Sequence, residues 1–267
     1  MVRRPTPQPT RAPTRPPSRR GGRFTAATLD RDRQAVQHAR AVIESEAAAF
    51  LHRAALHLVA VLRQTHKAAG DEEGRDDLTA AADELDHGPL GDAIKPKLEQ
   101  LAGDAAKLGV RQVVTDPVEQ LLQQANERAI AWAEQRAGEL VVQVAETTRQ
   151  AVADLVARAE EEGWSNDELA DQLTGDEAFA PSRAERIART ETAMADVAGN
   201  LEGWRATGVV EAKRWIVADA NECDLCADLD GVEVGLDEDF PDDGGDGPPL
   251  HPQCRCDVVP ILSDEEA

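Results

Sequence analysis

A chain of 267 residues with a net charge of −22, 3% aromatic side chains and no tyrosine favours thin, alanine-rich helical layers over a thick, aromatic-filled enzyme core. It holds no uninterrupted run of eighteen apolar residues and no apolar segment behind the N-terminal arginines. That reads against a membrane span and a secretory leader, and so for a cytosolic setting in which thiols stay reduced.

The charge is unevenly spread. Residues 1–23 carry seven arginines, six prolines and no acid, so they contribute +7 and leave −29 for the rest. Such a segment cannot bury apolar surface and reads as a disordered, Pro/Arg-rich basic arm. Arg3, Arg4, Arg11, Arg15, Arg19, Arg20 and Arg23 are its candidate DNA contacts; the competing reading is a solvated tail.

The texture changes near residue 24. Ile43, Ala47, Leu51, Ala54 or Ala55, Leu58 and Leu62 recur at helical spacing, which predicts one helix over about 26–69. His38, His52, His57 and His66 lie on it without thiols nearby and read as surface residues. A short helical hairpin or loop is expected next, interrupted by Gly88-Pro89 and Pro96. A second long helix follows, with Asp116 as N-cap, Pro117 in the first turn, and an apolar face running from Leu122 through Ala129, Leu140 and Val152 to Ala159. Two helices of this length predict an elongated antiparallel pair or bundle, a platform for other proteins with no catalytic constellation.

Capping boxes are expected at Ser165/Glu168 and Ser182/Glu185, with Gly208 ending the second of these helices. The segments 209–218 and 254–262 alternate or are β-branched and read as strands. The fold class is therefore mainly α: an elongated helical body over 24–162, then a small α+β, Cys-rich module over 163–267.

All four cysteines fall between Cys223 and Cys256. The spacing is Cys-x-x-Cys, then 24 residues, then His-x-x-Cys-x-Cys. A Cys-x-x-Cys turn places two thiolates on one knuckle, and residues two apart on a strand share a face. Cys223, Cys226, His251, Cys254 and Cys256 are five candidates for the four positions of a structural Zn²⁺. Either four thiolates bind, or His251 replaces one. Disulfides, free thiols and a catalytic zinc are the competing readings. The acidic stretch 228–249 lacks the ligand order of an EF-hand and reads as a solvated, mobile loop.

The motifs "RAERIARTETAMADVAGN", "AKRWIVADANECDLCADLDG" and "PPLHPQCRC" resemble the phage Mu protein F-like family of head morphogenesis proteins, over about residues 150–261. The matching positions are Ile187, Ala188, Arg189, Thr190, Glu191, Trp215, Asp219, Cys223, Cys226, Gly231, Pro248, Pro249, His251, Pro252, Cys254, Arg255 and Cys256. One departure is Asn221, where family members often carry Arg. The resemblance implies a minor head protein of a tailed bacteriophage or prophage. It would associate with the portal or capsid protein and assist head assembly, DNA packaging or ejection. It would reside inside the phage head, and in the host cytoplasm during assembly.

An alternative is an enzyme acting on host components, a nuclease or an ADP-ribosyltransferase, whose Arg, Ser/Thr and Glu are superficially matched by Arg189-Thr190-Glu191. In a helix these neighbours face different directions, and a salt-bridging helix is the simpler reading. A zinc-stapled DNA-binding adaptor is a third reading.

Overall fold

A computed structural model describes residues 26–66, 71–218 and 224–263. The basic arm with its seven arginines, and Asp219 and Cys223, lie outside these residues.

Six helices form the body: α1 (Ala26–His66), α2 (Asp71–Asp83), α3 (Gly88–Val113), α4 (Glu119–Glu162), α5 (Asn166–Gly175) and α6 (Pro181–Thr207), with a 3₁₀ turn at Glu177–Phe179. The C-terminal part adds β1 (Val210–Ile216), a single-turn α7 (Asp224–Ala227), β2 (Glu233–Gly235) and β3 (Asp257–Leu262). Of the described residues 72% are helical, and they include one small three-stranded sheet, as the sequence predicts.

The two long helices, 41 and 44 residues, each extend for about 60–66 Å. They run parallel, not antiparallel. Ile43, Ala47 and Leu51 of α1 share one core with Leu122, Ala129 and Leu140 of α4. Leu58 and Leu62 share a second core with Val152, Leu155 and Ala159. Like ends therefore meet like ends. The return path is made twice by a broken helix, α2 with α3 and α5 with α6, so the body is an up-down-up-down bundle.

The segment expected as a short hairpin thus holds α3, which is central to the bundle. Gly88-Pro89 opens that helix instead of interrupting it, with proline in the first turn, where its missing N–H costs nothing. Pro96 lies inside α3, where it removes the donor for the Asp92 carbonyl, and both residues sit on the exposed side of the helix.

The closest helix packing is between α3 and α6, which lie between the two long helices. Small residues permit it. A Cβ on Gly203 would stand 2.3 Å from the Ala106 carbonyl oxygen, and one on Gly199 2.4 Å from that of Ala102. Ala184, Ala188 and Ala195 of α6 belong to the same core as α1, α3 and α4. The helical body therefore continues through α6, beyond the boundary at 162/163 drawn from sequence.

Residues 34–64 of α1 are long and apolar enough, at a mean hydropathy of 1.2, to cross a membrane, although no unbroken apolar run marks them. In the fold their apolar stripe is buried against the neighbouring helices, while His38, His52 and His57 are exposed.

The Ser165 capping box is present, its Oγ accepting from the Glu168 N–H and the Glu168 carboxylate accepting from the Ser165 N–H. Gly208 ends α6 in a left-handed conformation, as expected, but the other N-caps differ from expectation. Helix α4 starts after Val118 and α6 after Ala180, neither with a side-chain cap. Pro181 takes the first turn of α6, and Ser182 donates to Glu177 instead, at 3.1 Å.

Candidate metal centre

The sheet has the order β2-β1-β3, all antiparallel. Strand β1 turns Lys213 and Trp215 inward, against Val197, Leu201 and Trp204 of α6, and the Trp215 ring meets Phe240 edge-on at 5.1 Å. Strand β3 pairs Val258 opposite Trp215. Cys256 stands two residues before Val258 and so on the same face, turned toward the knuckle that carries Cys226 on α7.

The result is a cluster of three thiols, Cys226, Cys254 and Cys256, whose sulfurs all lie within 4.8 Å of one another. Cys226 and Cys254 are buried and Cys256 is half-buried. The Cys226 and Cys254 sulfurs are 3.8 Å apart, in hydrogen-bond contact and with no disulfide between them. That separation is the edge of a tetrahedron with metal–sulfur bonds of about 2.3 Å. Burial raises the Cys256 thiol above its ordinary pKa and the Cys254 thiol adds to this, while the Trp215 indole and Cys226 act the other way. The raised Cys256 thiol keeps its proton in the absence of a cation, and a divalent ion would displace it.

Of the five candidate ligands, the fold brings these three together. His251 is not in the cluster: it is half-buried, with Nδ1 2.9 Å from the Pro252 carbonyl oxygen. Cys223 lies outside the described residues.

Each remaining motif residue has a structural task. Glu191 is buried and receives two hydrogen bonds from Arg136 of α4, at 2.8 Å from Nε and 2.6 Å from Nη2. Arg189 forms a long ion pair with Glu185 one turn back, at 3.7 Å. Thr190 Oγ accepts from the Gln253 N–H at 3.4 Å, which ties α6 to the loop between His251 and Cys254. Gly231 has φ +76 and donates its N–H to the Trp215 carbonyl at 2.9 Å, a turn conformation that glycine adopts freely. The Pro248–Pro249 peptide is cis, and both prolines line a groove of about 220 Å³ with Trp132, Met194 and Leu201.

The acidic stretch 228–249 is not the solvated loop expected from its charge. It contains β2 and buries Leu229, Leu236 and Phe240. Asp246 pairs with the ammonium of Lys213, whose side chain is fully buried, and accepts from Arg205 at 2.8 Å. Burial alone would raise the Asp246 carboxyl, but Lys213 and Arg205 hold it below its usual range. Sequence reasoning missed Lys213, Asp246 and Arg136. The available signal was Lys213, a charged residue two places from Trp215 and so on the same strand face.

A family described as Phage Mu protein F like protein matches residues 150–259. Over that stretch the chain is similar to the phage Mu protein F-like family. The matched region starts within α4 and takes in the last 13 residues of that helix, α5, α6, most of the sheet and the thiol cluster. No curated protein and no solved structure gives a significant match to the chain.

Proposed function

We propose that the chain is a minor head protein of a tailed phage or prophage, one that associates with the portal or capsid protein and assists head assembly, DNA packaging or ejection. The family match supports the phage-head reading. The observation that carries it furthest is that the motif residues of α6 and of the Cys-rich segment are used on each other: Thr190 holds the Gln253 loop, and Trp215 backs the thiols. Those residues build a scaffold that docks a small module on a long bundle. Glu191, the residue a transferase would present to substrate, is buried against Arg136, which favours assembly over catalysis.

Within this reading the thiol cluster holds one structural Zn²⁺. Cys226, Cys254 and Cys256 are three of its ligands, and Cys223 or His251 is the fourth. Zinc fits the donor set because buried thiolates at this spacing match its tetrahedral geometry and its preference for sulfur. It would replace the large core that the small sheet lacks and so fix the module's fold. The basic arm contributes contacts to packaged DNA, since the rest of the chain is acidic and repels it.

Mass spectrometry of purified DNA-filled heads, with pull-down of the portal protein by the tagged chain, tests the assignment. The chain is expected in the heads at low copy and in the portal fraction. Its absence from both would overturn the proposal.

A further inference from the structure

We propose that Trp215 donates its indole N–H to the sulfur of Cys256 and so holds that thiolate on the metal; the inference rests on the metal reading of the thiol cluster. The Trp215 side chain is fully buried; no oxygen or nitrogen accepts from its Nε1, and the indole lies close enough to the Cys256 sulfur to draw that thiol's pKa down. An indole can only donate, and a buried donor is costly to leave unmet. Two other tryptophans meet this need: Trp204 donates to Gln112 at 3.0 Å and Trp164 to Glu162 at 3.1 Å.

The sheet register supplies the acceptor. Trp215 lies opposite Val258, and Cys256 shares the Val258 face one step along the chain, beside the indole edge. A neutral thiol is a weak acceptor. A metal-bound thiolate carries charge and makes the stronger, charge-assisted bond. The residue that appears unsatisfied among three thiols is thus satisfied when they become thiolates. Cys256 is the least enclosed of the three and gains most from a fixed orientation. Outer-sphere donors of this kind orient ligands and tune the metal they bind. Trp215 is therefore a positioning residue and does not itself touch the ion.

The test uses the full, reduced chain and Co²⁺ alone as probe, comparing wild type with Trp215→Phe, which keeps an aromatic ring and removes the N–H. The wild type is expected to show thiolate-to-cobalt charge-transfer absorption. The variant is expected to bind about 10–100-fold more weakly, with that band displaced. In the wild type, the Trp215 indole proton, assigned by its loss in the variant or by selective labelling, should move downfield in the NMR spectrum when Cd²⁺ is added. If the variant is poorly folded, this wild-type measurement decides alone. Equal affinity and an unmoved band in a folded variant, or an indole proton indifferent to Cd²⁺, would overturn the role of Trp215 and leave the metal site standing. A wild-type chain that takes up neither Co²⁺ nor Cd²⁺ would remove the metal reading, and this inference with it.

Discussion

Arg136 and Glu191 face each other across the α4–α6 interface as a two-pronged ion pair, with Glu191 2% exposed and Arg136 9%. The pair joins a helix residue outside the family-matched region to the last residue of its Ile-Ala-Arg-Thr-Glu motif. A buried ion pair is weak evidence of net stability, but breaking one side strands a charge. Glu191→Ala should therefore cost about 3–5 kcal/mol in denaturant unfolding. The double replacement Arg136→Met with Glu191→Leu should recover most of it. Additive losses in the double variant would contradict the pairing.

The α3–α6 contact predicts opposite outcomes for two glycines. Gly203→Ala forces a methyl into the Ala106 carbonyl, and the helices must part, at a cost of about 1–3 kcal/mol. Gly138, exposed in the middle of α4, has nothing within 4 Å of an added Cβ. Gly138→Ala should stabilise by about 0.5–1 kcal/mol through helix propensity alone. Thermal melts of the two variants check both signs.

His87 sits where α2 gives way to α3, buried, its ring against Phe50 at 5.1 Å and its Nδ1 2.7 Å from the Leu85 carbonyl oxygen. That carbonyl accepts, so Nδ1 carries the proton and Nε2, buried without a partner, is bare. Burial lowers the His87 pKa, the Leu85 carbonyl opposes this, and Arg149 and Arg183 lower it further. Below about pH 6.5 the unfolded chain takes up a proton that the folded one resists, so stability falls as the pH falls through that window. His87→Asn should flatten this dependence between pH 7 and 5. Asp246 acts at lower pH: its folded pKa is depressed, so its contribution is present above the unfolded value of about 3.9 and is lost as the pH falls through the folded one. A wild-type stability that is flat from pH 7 to 5 would rule out the His87 assignment.

The basic arm predicts salt-dependent, sequence-indifferent DNA binding. Seven phosphate contacts would give a log–log salt slope of about −6 on duplex DNA, and fewer would lower it. A truncated chain beginning at Phe24 should lose this affinity and keep its helix content by circular dichroism. Equal binding by both chains at low salt would return the arm to a solvated tail.

Much of the fold was legible in sequence because helices announce themselves by period. The stripes of α1 and α4, the Ser165 cap and the strands around Trp215 and Val258 all lie where their patterns put them. Helix direction was not legible: the parallel course of α1 and α4 depends on two broken return helices, and Gly88-Pro89 looks the same as a break or as a helix start. The α3–α6 contact was hidden because Gly199 and Gly203 signal only through what they approach. At the site, spacing marked the thiols, but only folding showed that Cys226, Cys254 and Cys256 converge while His251 turns to the Pro252 carbonyl. The charge of residues 228–249 concealed Leu236 and Phe240, whose burial and the Lys213–Asp246 pair anchor that loop.

What joins the three thiols decides how the C-terminal module is held. Elemental analysis of the full chain, purified under reducing conditions without chelator, measures it directly. About one zinc per chain is the predicted result, with Cys254→Ser losing the metal and keeping the helical bundle by circular dichroism. Protein free of zinc and of any other transition metal, with its thiol cluster fully reduced and the sheet still folded, would contradict it.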